Sequence, residues 1–441
     1  MARQRASQEG GTHMNTLRCE VVGVRSGLAT RVAEFDLPER GVWMLEGKLG
    51  PRPLSPRALD LLDLVGGIYR VESRIPRRPT NPAREWYIEA PVRDVAFWAG
   101  SGGAKLASVL AFLNRARWTF RFVRRRGAHE VAYETSPESV VREVVLFSGG
   151  MDSTCGAGVH RGARRHVQLV SYYSNQRGLQ CHLAEELGYP PPVQWRLHGQ
   201  RGKEGMDLVR SLMFLSLGGI VAESFGAPLV YQYENGILAM AIPPAGTMVP
   251  TRHAHPELHR RVESLWEAVF DRPVKIRNPF SLFTKRQVVE QFAKKVGAKR
   301  ADEILLQTQT CWRLAQAHVG GKRKQPGTPC GVCTPCIVRR TARPFEAKRV
   351  GEWPGYAYDL KKPFVQRHEK LGLTFRAYIE LVSIVLNTPG DAAMIDQLAP
   401  EARTLVGGPA GPSDTEAAAV LRRFATEFCD TFDVRLERGT A

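Results

Sequence analysis

The stretch VVLFSGGMDSTCGAG combines the residue types that bind a phosphate group. An apolar run leads into Ser148, and Gly149 and Gly150 then allow a tight bend with no Cβ to block an approaching ligand. A helix that begins near Asp152 would direct its free amides and its positive dipole end at this bend. Ser148 and Ser153 add hydroxyl donors, and Asp152 has the chemistry to fix the loop or to hold magnesium through water. The sequence therefore predicts an anion-binding loop.

Two common nucleotide-binding fingerprints are missing from this stretch. No Gly-Lys-Ser/Thr follows at the spacing of a Walker A loop, and the GxGxxG dinucleotide pattern does not occur here. The alternative interpretation is an ordinary strand-to-helix turn in which Ser148 or Asp152 only caps the helix.

Four of the eight cysteines crowd one region and have the spacing of metal ligands. Cys330, Cys333 and Cys336 form overlapping CxxC pairs, and Cys311 precedes them at the end of a predicted helix. Two residues between thiolates suit a closed, tetrahedral zinc site of the structural kind. We therefore predict bound Zn²⁺, with redox or sulfur-carrier chemistry as the alternative.

Two further segments carry polar residues that we predict to contact a substrate. Glu234 and Asn235 follow a predicted strand in YENGILAM, so that a loop side chain there would face a bound ligand. Arg252, His253 and His255 stand together in TRHAHPELH. The spacing of these histidines suits a closed metal site poorly, which favours substrate contacts or surface pairing with carboxylates.

Length and charge narrow the classes of protein to consider. The 441 residues are 43% hydrophobic, which is a globular composition with length for two or three domains. The net charge of +18 favours phosphate-bearing partners, although an arginine-rich genome would produce the same balance. No apolar run reaches the roughly 18 residues that span a bilayer, and the polar N-terminus lacks a secretory pattern. We therefore expect a cytoplasmic protein with no membrane contact.

Short β-branched runs alternate with helical stretches from residue 143 onward, which predicts an α/β fold with a doubly wound parallel sheet. Ligands on such sheets bind beyond the carboxyl ends of the strands. We predict four parts: a disordered leader at 1–14, an N-terminal α+β domain at 15–135, a nucleotide-binding domain with a zinc knuckle at 142–345, and a helical C-terminal extension at 346–441.

A strand at the end of the N-terminal part, within NRARWTFRFVRRRG, interleaves aromatic residues with arginines. Such a pattern binds nucleic acid by stacking and phosphate contact. A half-buried edge strand with a solvated arginine face explains it equally simply, and we favour that interpretation over nucleic-acid binding.

The loop SGGMDS resembles the pyrophosphate loop of the PP-loop ATP pyrophosphatases. Four other stretches are similar to the QueC family of 7-cyano-7-deazaguanine synthases: SYYSNQRGLQCHLAEELG, RSLMFLSLGGIVAESFGA, NPFSLFTKRQVVEQFAKKVGA, and TQTCW with CGVCTPCIVRR. The resemblance covers about residues 143–345, under half of the chain. Longer QueC-like chains with such extensions come from bacterial anti-phage operons, the QatC group among them, and this chain looks more like those.

The resemblance implies roles for individual residues. It implies a nucleotide-binding set of Phe147, Ser148, Gly149, Gly150, Met151, Asp152, Ser153 and Lys285. It implies catalytic roles for Asp152, Ser153, Lys285 and Arg210, with Tyr173, Gln176, Arg177 and Arg210 on the substrate side. ATP, Mg²⁺ and Zn²⁺ are the implied cofactors, and a homodimer is implied because relatives often pair.

The implied reaction is activation of the carboxylate of 7-carboxy-7-deazaguanine by ATP, with release of pyrophosphate, and transfer to an amine. In the QueC family the amine is ammonia, and a second activation gives the nitrile. The extra parts of this chain suggest a larger amine donor, so that deazaguanine would be joined to a protein partner.

Two alternatives from other classes remain. One is a PP-loop enzyme that thiolates tRNA, which requires a reactive cysteine and salt-dependent RNA binding. The other is a non-catalytic, zinc-bearing module that binds nucleic acid or protein and only senses ATP.

Overall fold

The computed structural model describes residues 15–23, 31–38, 42–75, 84–126, 133–136, 140–172, 176–198, 208–242, 251–311, 318–319, 322–323, 328–342, 356–360, 362–369, 371–398, 402–408 and 410–435. The leader predicted at 1–14 lies outside these residues.

Among its described residues, the N-terminal part contains five strands and three helices. They are β1 (Thr16–Gly23), β2 (Arg31–Asp36), β3 (Trp43–Glu46), α1 (Pro56–Glu72), β4 (Arg84–Val92), α2 (Val95–Phe97), α3 (Gly103–Asn114) and β5 (Arg117–Arg124), with a π-helical turn between α2 and α3. Four of the strands form one sheet in the order β2-β1-β4-β5, which is antiparallel except for the parallel pair β4-β5.

The central part alternates strands and helices as the sequence predicts. Its elements are β6 (Glu143–Leu146), α4 (Met151–Val159), β7 (Val167–Tyr172), α5 (Arg177–Glu186), β8 (Val193–Leu197), α6 (Arg210–Phe225), β9 (Leu229–Tyr231), α7 (Gly236–Ala239), α8 (Pro256–Phe270), β10 (Lys275–Arg277), α9 (Lys285–Val296) and α10 (Ala298–Gln307). A 3₁₀ turn at Arg164–His166 precedes β7.

A six-stranded sheet organises this part in the order β10-β9-β6-β7-β8-β3. The five strands from β6 to β10 are parallel, whereas β3 pairs antiparallel with β8 at one edge. The α/β class is therefore confirmed. The predicted all-parallel sheet is wrong at this edge, because a strand from the N-terminal part completes the sheet.

Alternate residues of β6 and its extension face two separate cores. Val144 and Leu146 belong to a hydrophobic cluster with residues of α1, α6 and α8. Val145 and Phe147 belong to a second cluster with residues of α4, α9 and α10. Helices therefore cover both faces of the central strand, which explains its nearly continuous apolar sequence.

The C-terminal part begins with two short strands, and its described elements after residue 346, where the helical extension was predicted, are helices. Its elements are the short strands β11 (His318–Val319) and β12 (Lys322–Arg323), followed by α11 (Thr334–Thr341), α12 (Pro363–Arg367), α13 (Leu373–Asn387), α14 (Asp391–Leu398), α15 (Ala402–Leu405) and α16 (Asp414–Phe432). Helix α16 begins with a capping box in which Ser413 and Glu416 satisfy each other's backbone amides. Its apolar face packs with α13 and with three of the clustered cysteines in a third core.

Strand β5 is present where the aromatic and arginine pattern predicted a strand. Arg117 lies 3.8 Å from Glu85, and Arg121 donates to Glu89 at 2.8 Å. Carboxylates of the neighbouring strand thus accompany these two arginines, which weakens their attraction for nucleic acid.

Within the described residues, one segment is long and apolar enough to cross a membrane by length and composition alone. It covers Val95–Asn114, with a mean hydropathy of 1.3. This is weak support for a membrane span, because the helix is interrupted at Gly100 and its residues Leu106, Val109 and Leu110 lie in the main core.

Candidate functional site

The predicted anion-binding loop follows β6 at the middle of the six-stranded sheet. Strands β7 and β8 extend the sheet from one side of β6, and β9 and β10 extend it from the other side. The chain therefore changes direction at β6, and crevices at such positions bind ligands beyond the carboxyl ends of the strands.

The loop is a tight bend that leads into α4. Gly149 has φ +75°, a left-handed conformation that favours glycine, and Gly150 is the N-cap of α4. The Gly150 amide donates to Ser148 Oγ at 3.2 Å, and the Ser148 and Ser153 hydroxyls lie 3.1 Å apart. A Cβ on Gly150 would approach Ser148 Oγ to 3.2 Å and so fill the bend. The two hydroxyls and the N-terminus of α4 are thus gathered at one bend, a set of donors that suits an oxyanion.

Neighbouring segments hold the loop by its backbone. Gln180 donates to the Ser148 carbonyl at 3.2 Å and accepts from Gln194 at 3.0 Å, while the Gln309 amide donates to the Gly149 carbonyl at 3.3 Å. The sequence did not indicate these glutamines, because nothing in their local sequence marks them as contacts of the loop. Phe147 and Met151, both predicted to contact the nucleotide, have side chains buried in the core.

The side chains of Asp152 and Lys285 are hydrogen-bonded to each other next to the glycine bend. Asp152 lies in the first turn of α4, and its Oδ2 accepts hydrogen bonds from Lys285 Nζ and, at 3.1 Å, from Asn235 Nδ2. Its Oδ1 is buried and has no hydrogen-bond partner among the described residues. Burial raises the pKa of Asp152 to about 7, although the charge of Lys285 acts in the opposite direction.

Glu234 and His253 extend this cluster. Glu234 pairs with His253 Nε2 at 2.8 Å and accepts from Asn235 Nδ2 at 2.8 Å. Burial opposes ionisation of Glu234, but the hydrogen bond with His253 and the positive charges of His253 and Lys285 outweigh it and lower its pKa to about 2. Burial also opposes protonation of His253, yet the hydrogen bond to Glu234 raises its pKa. Lys285, Asp152, Glu234 and His253 therefore form a row in which basic groups flank the carboxyl groups, with Lys285 and Asp152 buried and Glu234 and His253 half-buried.

Arg252 and His255, also predicted to contact substrate, lie in the same segment as His253 but have different contacts. Arg252 donates to the Phe112 carbonyl at 2.9 Å. His255 caps α8 by accepting from the Glu257 amide at 3.1 Å, and burial lowers its pKa to about 4. Both residues line a cavity of about 470 Å³ whose lining includes Leu405 but no residue of the glycine loop.

Three of the four remaining predicted substrate residues, Gln176, Arg177 and Arg210, lie at the starts of helices. The fourth, Tyr173, lies outside the described residues. Gln176 and Arg177 begin α5, and Arg177 pairs with Glu46 of the antiparallel edge strand at 2.7 Å. Arg210 is exposed at the first position of α6. Because α5 and α6 follow parallel strands, both helix starts lie at the carboxyl edge of the sheet, as the glycine loop does.

The four clustered cysteines converge on one point. The sulfur atoms of Cys311, Cys330, Cys333 and Cys336 lie within 4.8 Å of one another. Cys311 and Cys333 are 3.9 Å apart, as are Cys330 and Cys336. Zn–S bonds of about 2.3 Å in a tetrahedron place sulfur atoms about 3.8 Å apart, so these separations fit a zinc ion. The four cysteines can therefore hold a metal ion such as zinc.

Backbone geometry around the cysteines supports this site. Gly331 has φ +84°, and a Cβ there would lie 2.6 Å from the Tyr358 carbonyl. The Val332 and Cys333 amides both donate to Cys330 Sγ at 3.4 Å, as amides do in thiolate metal sites. The Tyr358 amide donates to the Cys330 carbonyl at 3.0 Å, which ties the chain after the knuckle to it.

The fold and the site define an α/β protein with a mixed sheet, a four-cysteine cluster and a row of charged residues beside a glycine loop. No protein-family model matches the chain, and no curated protein matches it.

Proposed function

We propose that this protein uses ATP to activate a carboxylate by adenylation, releases pyrophosphate, and transfers the acyl group to an amine. The observation that carries the proposal is the contact between Asp152 and Lys285. It lies in the first turn of α4, directly after the glycine bend at the switch point of the sheet. An ATP-cleaving site of this kind needs oxyanion donors, a cation and a carboxylate in one place.

In the proposed reaction, the loop holds the β- and γ-phosphates. The substrate carboxylate attacks the α-phosphorus, the bond from that phosphorus to the bridging oxygen breaks, and pyrophosphate leaves. The amides of α4 and the hydroxyls of Ser148 and Ser153 stabilise charge on the departing group. The amine then attacks the acyl-AMP carbonyl, loses a proton and expels AMP, which yields an amide.

Asp152 is placed for two tasks in this proposal. Its Oδ2 fixes the ammonium of Lys285, while its unpartnered Oδ1 is the oxygen ligand that a magnesium ion prefers. Mg²⁺ would neutralise charge on the phosphates. Glu234 and His253 keep the adjacent wall polar and charged.

The proposed substrate is 7-carboxy-7-deazaguanine, on the strength of the QueC-like motifs. The proposed amine belongs to a protein partner in an anti-phage defence system, since the N-terminal sheet and the C-terminal helices enlarge the protein beyond the nucleotide-binding part. The zinc site has a structural task in this account, because its ligand set leaves no open position for a reactant.

The test is mass spectrometry of the products formed from ATP and 7-carboxy-7-deazaguanine. One reaction receives ammonium, and the other receives candidate partner proteins encoded beside this chain. A partner that gains the mass of 7-carboxy-7-deazaguanine minus water supports conjugation. Nitrile formation from ammonium alone contradicts transfer to a protein, and absence of AMP in every reaction contradicts adenylation itself.

Sulfur transfer to RNA finds less support among the described cysteines. Four of them are clustered as metal ligands, and Cys155, the cysteine nearest in sequence to the loop, is fully buried with its pKa raised by burial. A sulfur carrier needs an accessible thiolate.

A further inference from the structure

The sequence around Lys285 is held by the C-terminal extension. Thr284 caps α9 and donates its hydroxyl to Glu427 of α16 at 2.6 Å. On the other side of Lys285, Arg286 donates to the Glu427 carbonyl at 3.3 Å and to the Thr341 carbonyl at 3.0 Å. Both sequence neighbours of the lysine are therefore bonded to α16, and one of them is also bonded to the end of the helix that carries Cys336.

The residues just before α9 are also held by hydrogen bonds from other helices. Arg423 of α16 donates to the Leu282 carbonyl at 3.2 Å, and the Gly236 amide of α7 donates to the Phe283 carbonyl at 2.8 Å. Lys285 itself is 2% exposed, so its ammonium reaches Asp152 only if this backbone keeps its position.

Glu427 is an unusual residue for a purely structural contact. It is 8% exposed, and its Oε2 is buried with no hydrogen-bond partner among the described residues. A buried acid with an unsatisfied oxygen costs stability, and an apolar side chain would fill the same space more favourably.

From these contacts we propose that Glu427 is a positioning residue, through which α16 sets Lys285 in register with Asp152 for nucleotide binding. The inference rests on the proposed function. It makes the C-terminal extension part of the nucleotide site, although none of its residues touches the glycine loop among the described contacts.

The test measures the KM for Mg-ATP, with release of AMP as the readout, in four variants. Thr284→Val removes the hydrogen bond to Glu427 together with the cap of α9, whereas Glu427→Ala removes the same bond and leaves the cap in place. Both should raise the KM about five- to tenfold, the equivalent of one buried hydrogen bond. Glu427→Gln keeps the acceptor and should restore a KM near that of the natural protein. Glu380→Gln, an exposed acid of α13, is the matched control and should change nothing.

Outcomes separate the two proposals. If the natural protein releases AMP and folded Thr284→Val keeps the same KM, the positioning role is wrong and the proposed function stands. If the natural protein itself releases no AMP, the proposed function fails first. Should Glu427→Ala not fold, Thr284→Val and Glu427→Gln still decide the question. Metal content measured alongside should stay unchanged in all four variants, because none of them alters a cysteine.

Discussion

At the scale of single residues, the account depends on the contact between Asp152 and Lys285. The two residues are 5% and 2% exposed, and they lie 133 positions apart in sequence. An ion pair this deeply buried adds little net stability compared with an apolar pair, yet loss of one partner leaves an uncompensated polar group. Such an arrangement suits a site that is kept for chemistry.

Removal of one partner should therefore lower the free energy of unfolding more than removal of both. Asp152→Asn leaves the Lys285 ammonium buried and should lower the free energy of unfolding by about 3 kcal/mol. The double variant Asp152→Asn with Lys285→Met should recover part of that loss while releasing no AMP. Urea denaturation of the two single variants and the double variant measures the coupling. Strictly additive losses would mean that the two groups do not interact in solution.

At the scale of elements, the bend before α4 and the start of α9 carry the site. Their local sequence signals are strong: two adjacent glycines at the first, and the capping pair Thr284 and Gln287 at the second. From the sequence alone we predicted the bend and the helix after it, whereas α9 was included only in the general alternation of strands and helices and its capping pair was not recognised. The sequence did not indicate that Gln180 and Asn235 support them, because those contacts join residues 32 and 83 positions apart.

The glycine bend should be intolerant of a side chain. Gly149→Ala places a Cβ on a backbone with φ +75° and 3.2 Å from the Gln180 side chain, so it should cost about 1–2 kcal/mol of stability and weaken nucleotide binding. Gly178→Ala is the matched control, because it lies in helix α5 with open space around it and should stabilise by about 0.5–1 kcal/mol. Urea melts compare the two, and equal effects would contradict the left-handed bend.

The start of α9 should show a pH dependence through Glu427. Burial raises the pKa of Glu427 to about 7 from its ordinary 4.5, so the folded protein holds this proton more tightly than the unfolded chain. The resulting stability is present below pH 4.5 and is lost as the pH rises to about 7.

The Glu427→Gln variant has no ionisable side chain at this position. The free energy of unfolding of the natural protein, relative to this variant, should therefore fall by roughly 3 kcal/mol between pH 4.5 and pH 7.5. Urea melts of both proteins across that range measure the difference. A constant difference would show that Glu427 is ionised with its ordinary pKa in the folded protein.

At the scale of the whole molecule, the N-terminal, central and C-terminal parts share more contacts than the sequence indicates. The alternation after residue 143 predicted the α/β class, and the CxxC spacing predicted which cysteines converge. Nothing local in residues 43–46 shows that this strand joins the six-stranded sheet, because its pairing with β8 spans about 150 positions. The same limit applies to α16, whose contacts with the start of α9 join distant segments.

The cysteine cluster should stabilise the C-terminal helices. Cys330, Cys333 and Cys336 share a hydrophobic core with α13 and α16, so removal of a bound metal should loosen those helices before it affects the central sheet. Elemental analysis should find about one zinc per chain. Treatment with a chelator should then speed hydrogen exchange in α13 and α16. A protein that binds no metal and keeps these helices protected would contradict the zinc site.

The most direct test of the central claim is the identity of the nucleotide product. Purified protein is incubated with ATP, Mg²⁺ and 7-carboxy-7-deazaguanine, and the products are separated by chromatography beside Asp152→Asn as the inactive control. We expect AMP and pyrophosphate in equal amounts, dependent on the carboxylate substrate and absent from the variant. Formation of ADP and phosphate, or equal AMP from the variant, would contradict adenylation at the glycine loop.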